Sequence, residues 1–411
     1  PSLFGAVGVS ALLAVHAVPL TYLAAAGALA GRNVEELERA ARVSGAGPFA
    51  VMRSVTLPLL RPALAAGAAL AFIASASDFG IPAVVGLPAR FSMVTTEIYQ
   101  RLSFSANQTS FAAAVVLAAL LALLASLFLI LLGRFHVGAA VAAAGRRQPA
   151  GGRWTLGGAV LLAAGWLWVG LTSLLPLAAL ILVAVTRAYG LPPTPANWSV
   201  THFEAAISRN GGEALLRSGG LAALAATAIV LLGIVAALIG RGSRAGRLLE
   251  GAIALPYAIP GSALAVAVIL AFSRWLYGSL LIILLAYVAR FWALGHRPIA
   301  GALAQTGREL LQAAQVAGAG PLRSFMTGAW PAIAPASAFA WLLVFLTALH
   351  ELTVSSLLYT PVTQTVAVVV LNSEQEGDVA RTAALAVVLT ALVLAAAVPA
   401  TWLASRRRPS P

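Results

Sequence analysis

Asp78 and Glu351 are carboxylates placed where this sequence carries few charges. Each lies toward the outer end of an apolar segment, and they are 273 residues apart. Ionisable groups inside apolar spans are rare and default to a functional role. At that depth the two could make an outer cavity attractive to a cation; the plainer reading is a carboxylate solvated at a helix end. Glu374, Glu376 and Asp378 cluster in LNSEQEGD. They could dock the basic face of a partner, or could simply keep a loop solvated. The five histidines (His16, His136, His202, His296 and His350) are scattered without metal-ligand spacing, so no metal site is expected. Cysteine is absent, which removes disulfides, thiolate metal sites and thiol nucleophiles. Lysine is absent too, and all 26 basic residues are arginine. That excludes a GxxxxGK[ST] phosphate loop and a Schiff-base lysine. If the protein uses ATP, another chain must then bind it.

The elements that must hold these groups are membrane spans. The chain has 411 residues, 60% hydrophobic and 9% charged, with mean hydropathy +0.92. A soluble core cannot absorb that much apolar surface, and the natural unit is about 20 apolar residues per crossing. Nine spans are expected, near 3–26, 62–82, 111–133, 156–185, 219–240, 251–272, 279–295, 336–357 and 382–404. The segment 156–185 is long enough to tilt or bend and contains Pro176. ALPYAIPGSALA, 254–265, interrupts another span with Pro256, Pro260 and Gly261. Arginines divide 19 to seven between the two faces; the richer face, which takes in Arg290 and Arg297, is expected to be cytoplasmic, with the C-terminus on it. A net charge of +13 does not suggest nucleic acid, because the arginines lie in short loops between spans and not on a solvated domain.

One polar stretch recurs. AARVSGAGPFAVMRSVTLPLLRP (40–62) aligns without a gap to AAQVAGAGPLRSFMTGAWPAIAP (313–335). Gly45 meets Gly318, Pro58 meets Pro331 and Pro62 meets Pro335, each 273 residues on, and nine of the 23 positions are identical. The same offset carries Asp78 onto Glu351. This is the mark of a parallel duplication, a known transporter plan. The second copy has six spans and the first only three. The sequence also opens on Pro1 with no charged region before an apolar stretch. A six-plus-six protein lacking three N-terminal spans is expected. Physically, residues 34–44 suit a helix with glutamates early and arginines late. Gly45 can take a left-handed cap, Pro48 can open a second short helix, and Pro58 and Pro62 are expected to end it. Two such helix–turn–helix knobs on one face would suit a two-fold partner.

The loop resembles a known family. Glu-Ala-Ala, three residues, Gly, nine residues and Ile-x-Leu-Pro is the loop signature of bacterial ABC importer permeases. The first copy reads Arg39-Ala40-Ala41, Gly45, then Val55-Thr56-Leu57-Pro58. The second reads Gln312-Ala313-Ala314, Gly318, then Gly328-Ala329-Trp330-Pro331. Both depart from the pattern at its glutamate, with Glu38 and Glu309 nearby but out of register. SDFGIPAVVG (77–86), LHELTVSSLLYTP (349–361) and LNSEQEGD (371–378) look closest to ferric-iron permeases of the fused double-permease branch, which also serves thiamine. The resemblance implies an all-α polytopic protein with the type I ABC importer fold. It implies a first permease repeat within 1–133 with its coupling loop at 31–61. A linker at 134–155 follows, then a second repeat over 156–411 with its coupling loop at 296–335. Glu38, Arg39, Ala40, Ala41, Gly45, Pro58, Gln312, Ala313, Ala314, Gly318 and Pro331 become the residues expected to couple to the ATPase. The partners it implies are two copies of an ABC ATPase subunit, a periplasmic substrate-binding protein and the lipid of the bacterial inner membrane. Ferric iron is the leading cargo, with thiamine or an organophosphonate as alternatives. An ion-coupled secondary transporter is the reading from another class, and it would not need paired Gly–Pro loops. A membrane-embedded enzyme would need clustered polar groups in register, and none is seen.

Overall fold

The structure is a computed structural model that describes residues 3–30, 34–104, 107–133, 156–188, 190–240, 244–305, 316, 318 and 320–406. Among the described residues the regular elements are helices, and an isolated bridge joins Thr186 to Trp198. Among the described residues, eight helices are long and apolar enough to cross a membrane: Ala6–Leu29, Pro48–Ser77, Gln108–Phe128, Gly157–Val185, Gly212–Gly240, Leu280–Gln305, Phe325–Leu349 and Val379–Pro399. The ninth expected span, 251–272, is corrected. It is two helices, Arg244–Ala258 and Gly261–Leu276, separated at Ile259-Pro260. Pro260 is extended (φ −54°, ψ 140°) and has no amide hydrogen to carry the helix on.

The chain divides into two compact units, one of residues 1–101 and 107–174, the other of 102–106 and 175–411. The first contains α1 (Ala6–Ala30), α2 (Val34–Val43), α3 (Pro48–Val51), α4 (Leu57–Ser77), α5 (Val94–Ser103), α6 (Gln108–Gly133) and α7 (Leu156–Val169). There α1 lies along α4 over a seam of small residues, Ala63, Ala66, Gly67 and Ala69. A methyl on Gly67 would sit 3.0 Å from the Thr21 backbone. Small residues bring helix backbones close where burial in lipid offers no hydrophobic gain.

The second unit holds α8 (Leu175–Val185), α9 (Thr201–Ala206), α10 (Gly212–Gly240), α11 (Arg244–Ala258), α12 (Gly261–Leu276) and α13 (Leu280–Gln305). It continues with α14 (Pro321–Ser324), α15 (Trp330–Leu349), α16 (Ser355–Leu358), α17 (Val366–Gln375) and α18 (Val379–Arg406). α10, α13 and α15 pack pairwise around Ala222, Ile229, Ile283, Tyr287, Phe291 and Val344. Gly233 admits the α13 backbone at His296, whose Nδ1 is 3.1 Å from the Gly233 carbonyl. Gly295 leaves room for Ile229. Arg297 is corrected from loop to helix: α13 runs on past the expected end at 295, through Pro298 to Gln305, so Arg290 and Arg297 both lie inside it.

Proline enters these long helices by one repeated device. A five-residue π turn ends two residues before the proline: Met52–Thr56 before Pro58, Gly170–Leu174 before Pro176, Phe325–Ala329 before Pro331. The Leu57 N–H reaches Met52 O and the Trp330 N–H reaches Phe325 O. Four residues ahead of each proline stands a hydroxyl that donates four residues further back. Ser54 reaches Ala50 O at 2.7 Å, Thr172 reaches Trp168 O at 2.8 Å and Thr327 reaches Arg323 O at 2.7 Å. The widened turn accommodates the missing amide and the crowding ring. Pro58 and Pro62 therefore do not end the loop helix, as the sequence suggests. The chain runs helically from Pro48 to Ser77.

Candidate functional site

The first loop is a capped corner. α2 ends in a Schellman arrangement, with Ala46 N–H on Ala41 O at 3.0 Å and Gly45 N–H on Arg42 O at 3.0 Å. Gly45 has φ +86°, the left-handed region that disfavours a Cβ. The Ala40 carbonyl accepts both the amide and the hydroxyl of Ser44. Pro48 then opens α3, and Val51 N–H bonds Gly47 O at 3.0 Å. Glu38 ties the corner together: it accepts from Thr56 Oγ1 at 2.7 Å and pairs with Arg42 at 2.9 Å. It thereby links α2 to the π turn. Arg39 and Ala40 are exposed and Ala41 is half-buried.

The second loop repeats these features where it is described. Gly318 has φ +82°. α14 opens on Pro321 as α3 opens on Pro48, and Ser324 N–H bonds Gly320 O at 2.9 Å. The π turn and Pro331 follow at the same spacing of 273 residues. Gln312, Ala313 and Ala314 lie outside the described residues. Sequence reasoning missed two positions here. Val43 and Val316, also 273 apart, are each 89% exposed, two residues before the left-handed glycine. A valine side chain held out at matching points of two loops is an apolar surface left uncovered among the described residues. The signal was visible as Val43 among the identities of the repeat.

The matched carboxylates also share a local role. Asp78 Oδ1 accepts the Ile81 amide at 2.9 Å, three residues on. Glu351 accepts the Val354 amide, again three residues on, through both oxygens at 3.0 Å, and the Ser355 amide at 3.1 Å. Both carboxylates thus cap the turn that follows a long helix. They differ in setting: Asp78 is half-buried, while Glu351 is 7% exposed. Glu351 is not a solvated carboxylate. Tyr287 OH and Ser355 Oγ lie 2.6 Å apart beside it, and Arg290 Nη1 is 3.9 Å from its Oε1.

Of the outer acids, Glu376 is exposed at the end of α17 and Glu374 is half-buried, its carboxyl pushed up by that burial. Asp378 is turned to structure: its Oδ1 accepts the Arg381 amide at 3.2 Å at the start of α18.

A family described as "binding-protein-dependent transport system inner membrane component" matches residues 2–137 and 229–409. The ferric transport system permease protein FbpB of Actinobacillus pleuropneumoniae is 25% identical over 95% of this chain and 58% of its own length. PhnV of Salmonella typhimurium, provisionally named a 2-aminoethylphosphonate transport system permease protein, is 27% identical over 54% of this chain and 84% of its own. The molybdenum transport system permease protein ModB of Escherichia coli is 33% identical over 28% of this chain and 50% of its own. The chain thus spans little more than half the length of FbpB.

Proposed function

This chain belongs to the binding-protein-dependent transport system inner membrane component family, and from that premise we propose that it is the membrane subunit of an ATP-driven importer of ferric iron. The observation that carries the mechanism is the pair of loops with one geometry: left-handed Gly45 and Gly318, then Pro48 and Pro321 opening a helix, with Val43 and Val316 held out. Two ATPase subunits would each take one loop, with Val43 or Val316 as the apolar contact and Arg39 beside the first. The π turns and prolines would pass their closure into α4 and α15. Nucleotide hydrolysis would occur wholly on those subunits, with ATP and Mg bound there. A periplasmic binding protein would deliver cargo to the opposite face, where Glu376 and its neighbours Glu374 and Asp378 offer it negative charge. Both loops and the C-terminus would be cytoplasmic. Asp78 and Glu351 remain candidates to bias the pathway toward a cation.

Ferric iron leads because the likeness to FbpB runs over 95% of the chain, whereas that to PhnV covers 54% and that to ModB 28%. An organophosphonate is the second reading, favoured by PhnV matching over 84% of its own length. The test is uptake into vesicles by the full-length protein with its cognate ATPase and binding protein. Labelled ferric iron, thiamine and 2-aminoethylphosphonate are offered in parallel. ATP-dependent iron entry, lost when Gly45 or Gly318 is made valine, is the expected result. Entry of another cargo keeps the mechanism and replaces the ligand. Uptake that follows an ion gradient and ignores ATP and both substitutions ends the reading.

A further inference from the structure

Arg290 sits near the middle of α13, and its guanidinium lies against Gly261, the first residue of α12. A methyl at Gly261 would collide with Nη1 and Cζ, so the glycine is what lets the guanidinium reach this place. Arg290 Nη1 is buried and has no hydrogen-bond partner among the described residues. Ser262, the residue after Gly261, is 0% exposed, and its hydroxyl likewise has no partner among the described residues. Buried donors left unpaired are costly and call for an explanation.

The backbone adds donors at the same helix start. α12 begins afresh after Pro260, and its first intrahelical bond from outside the helix is Leu264 N–H to Pro260 O at 3.0 Å. The amides of Gly261, Ser262 and Ala263 come before that bond and have no intrahelical acceptor. They carry the positive end of a 16-residue helix. Glu351 is the nearby counter-charge, yet it does not fill the site. Its oxygens already accept the Val354 and Ser355 amides and the Ser355 hydroxyl, at 3.0 to 3.3 Å, and Arg290 Nη1 stays 3.9 Å away. The ion pair offsets charge without taking up the guanidinium hydrogen.

The geometry points to a binding site for a small oxyanion at the start of α12, held by the Arg290 guanidinium, the Ser262 hydroxyl and the first-turn amides. A guanidinium, a hydroxyl and helix-end amides together suit the several acceptor oxygens of a phosphate-like or carboxylate group. The inference goes beyond the proposed import of iron and does not depend on which cargo is carried. Its donors are buried in the second unit beside the break in the chain, where backbone is tolerated without a helix only if protein or a cavity lines it.

The test is equilibrium binding of labelled inorganic phosphate to the full-length protein in lipid nanodiscs, without ATP or partner subunits. Saturable binding is expected. Arg290→Gln should weaken it by about tenfold or more, Ser262→Ala should weaken it by less, and chloride should not compete. Should Arg290→Gln fail to fold, Gly261→Ala tests the same contact, because the methyl displaces the guanidinium while keeping its charge. No saturable binding at millimolar phosphate, or binding unchanged by Arg290→Gln or by Gly261→Ala, overturns the site. Uptake plays no part in the readout, so a wrong cargo and a wrong anion site give different results.

Discussion

At Gly45 and Gly318 the backbone turns left-handed, φ +86° and +82°, with open space around each alpha carbon. The constraint is therefore conformational and not steric, and a β-branched side chain there meets a penalty of about 1–2 kcal/mol. Gly45→Val or Gly318→Val should leave the membrane helices intact by circular dichroism while abolishing stimulation of ATP hydrolysis by loaded binding protein. Val43 and Val316 make the complementary case. At 89% exposure each, Val43→Asp and Val316→Asp should shift the melting free energy by no more than about 0.5 kcal/mol. Co-purification of the ATPase should nonetheless fall. Retained co-purification in both variants would remove the valines from the contact. Glu374 supplies a pH signature. Burial raises its carboxyl in the folded state, so the contribution of this group favours folding at low pH and is lost as pH rises through the raised value. Melts of Glu374→Gln against the parent between about pH 4 and 7 should show the variant gaining relative stability as pH increases.

At the scale of the elements, the π turn recurs. Three prolines, Pro58, Pro176 and Pro331, follow a π turn at one spacing, each with a hydroxyl four residues ahead that bonds back along the helix. The hydroxyl satisfies backbone that a widened turn leaves misaligned. Ser54→Ala and Thr327→Ala should each cost about 0.5–1.5 kcal/mol of stability. Pro58→Ala removes the reason for the π turn. Relaxation to an α-helix would rotate the loop against α4 by roughly 100°, one residue's worth. The chain has no cysteine, so spin labels on cysteines introduced at Val43 and Phe72, both in the first unit, read that change without background. An unchanged distance distribution in Pro58→Ala would show that proline does not set the bulge.

At the scale of the molecule the repeat is structural as well as sequential. Helix start, π turn, proline, long helix and capping carboxylate recur in both halves, from Pro48 to Asp78 and from Pro321 to Glu351. The two units are not equivalent where it matters chemically: Asp78 is half-buried, while Glu351 is enclosed beside Arg290 and Tyr287. If both loops must engage for one transport cycle, the Gly45→Val/Gly318→Val double variant should be no worse in uptake than either single one. Groups that act as a unit are non-additive in this way. Additive losses would mean that each loop drives transport independently.

What the sequence determined by itself was local or periodic. Apolar length gave the long helices, because about 20 residues cross the hydrocarbon layer whatever surrounds them. The glycine at 45 and the proline at 48 wrote the corner directly, since the left-handed cap and the fixed proline φ are properties of one residue. Tertiary structure decided the rest. Whether Pro58 ends a helix or rides through it depended on a π turn, whereas the break at Pro260 falls where the sequence already reads an interrupted span. Arg290 falls near the end of the expected span 279–295 and reads only as one more charge of the arginine-rich face. Only the packing of α13 against α12 and the end of α15 put it against Gly261 and near Glu351. Such a site joins residues far apart in sequence through the absence of one Cβ, and no periodicity in a single chain encodes that contact.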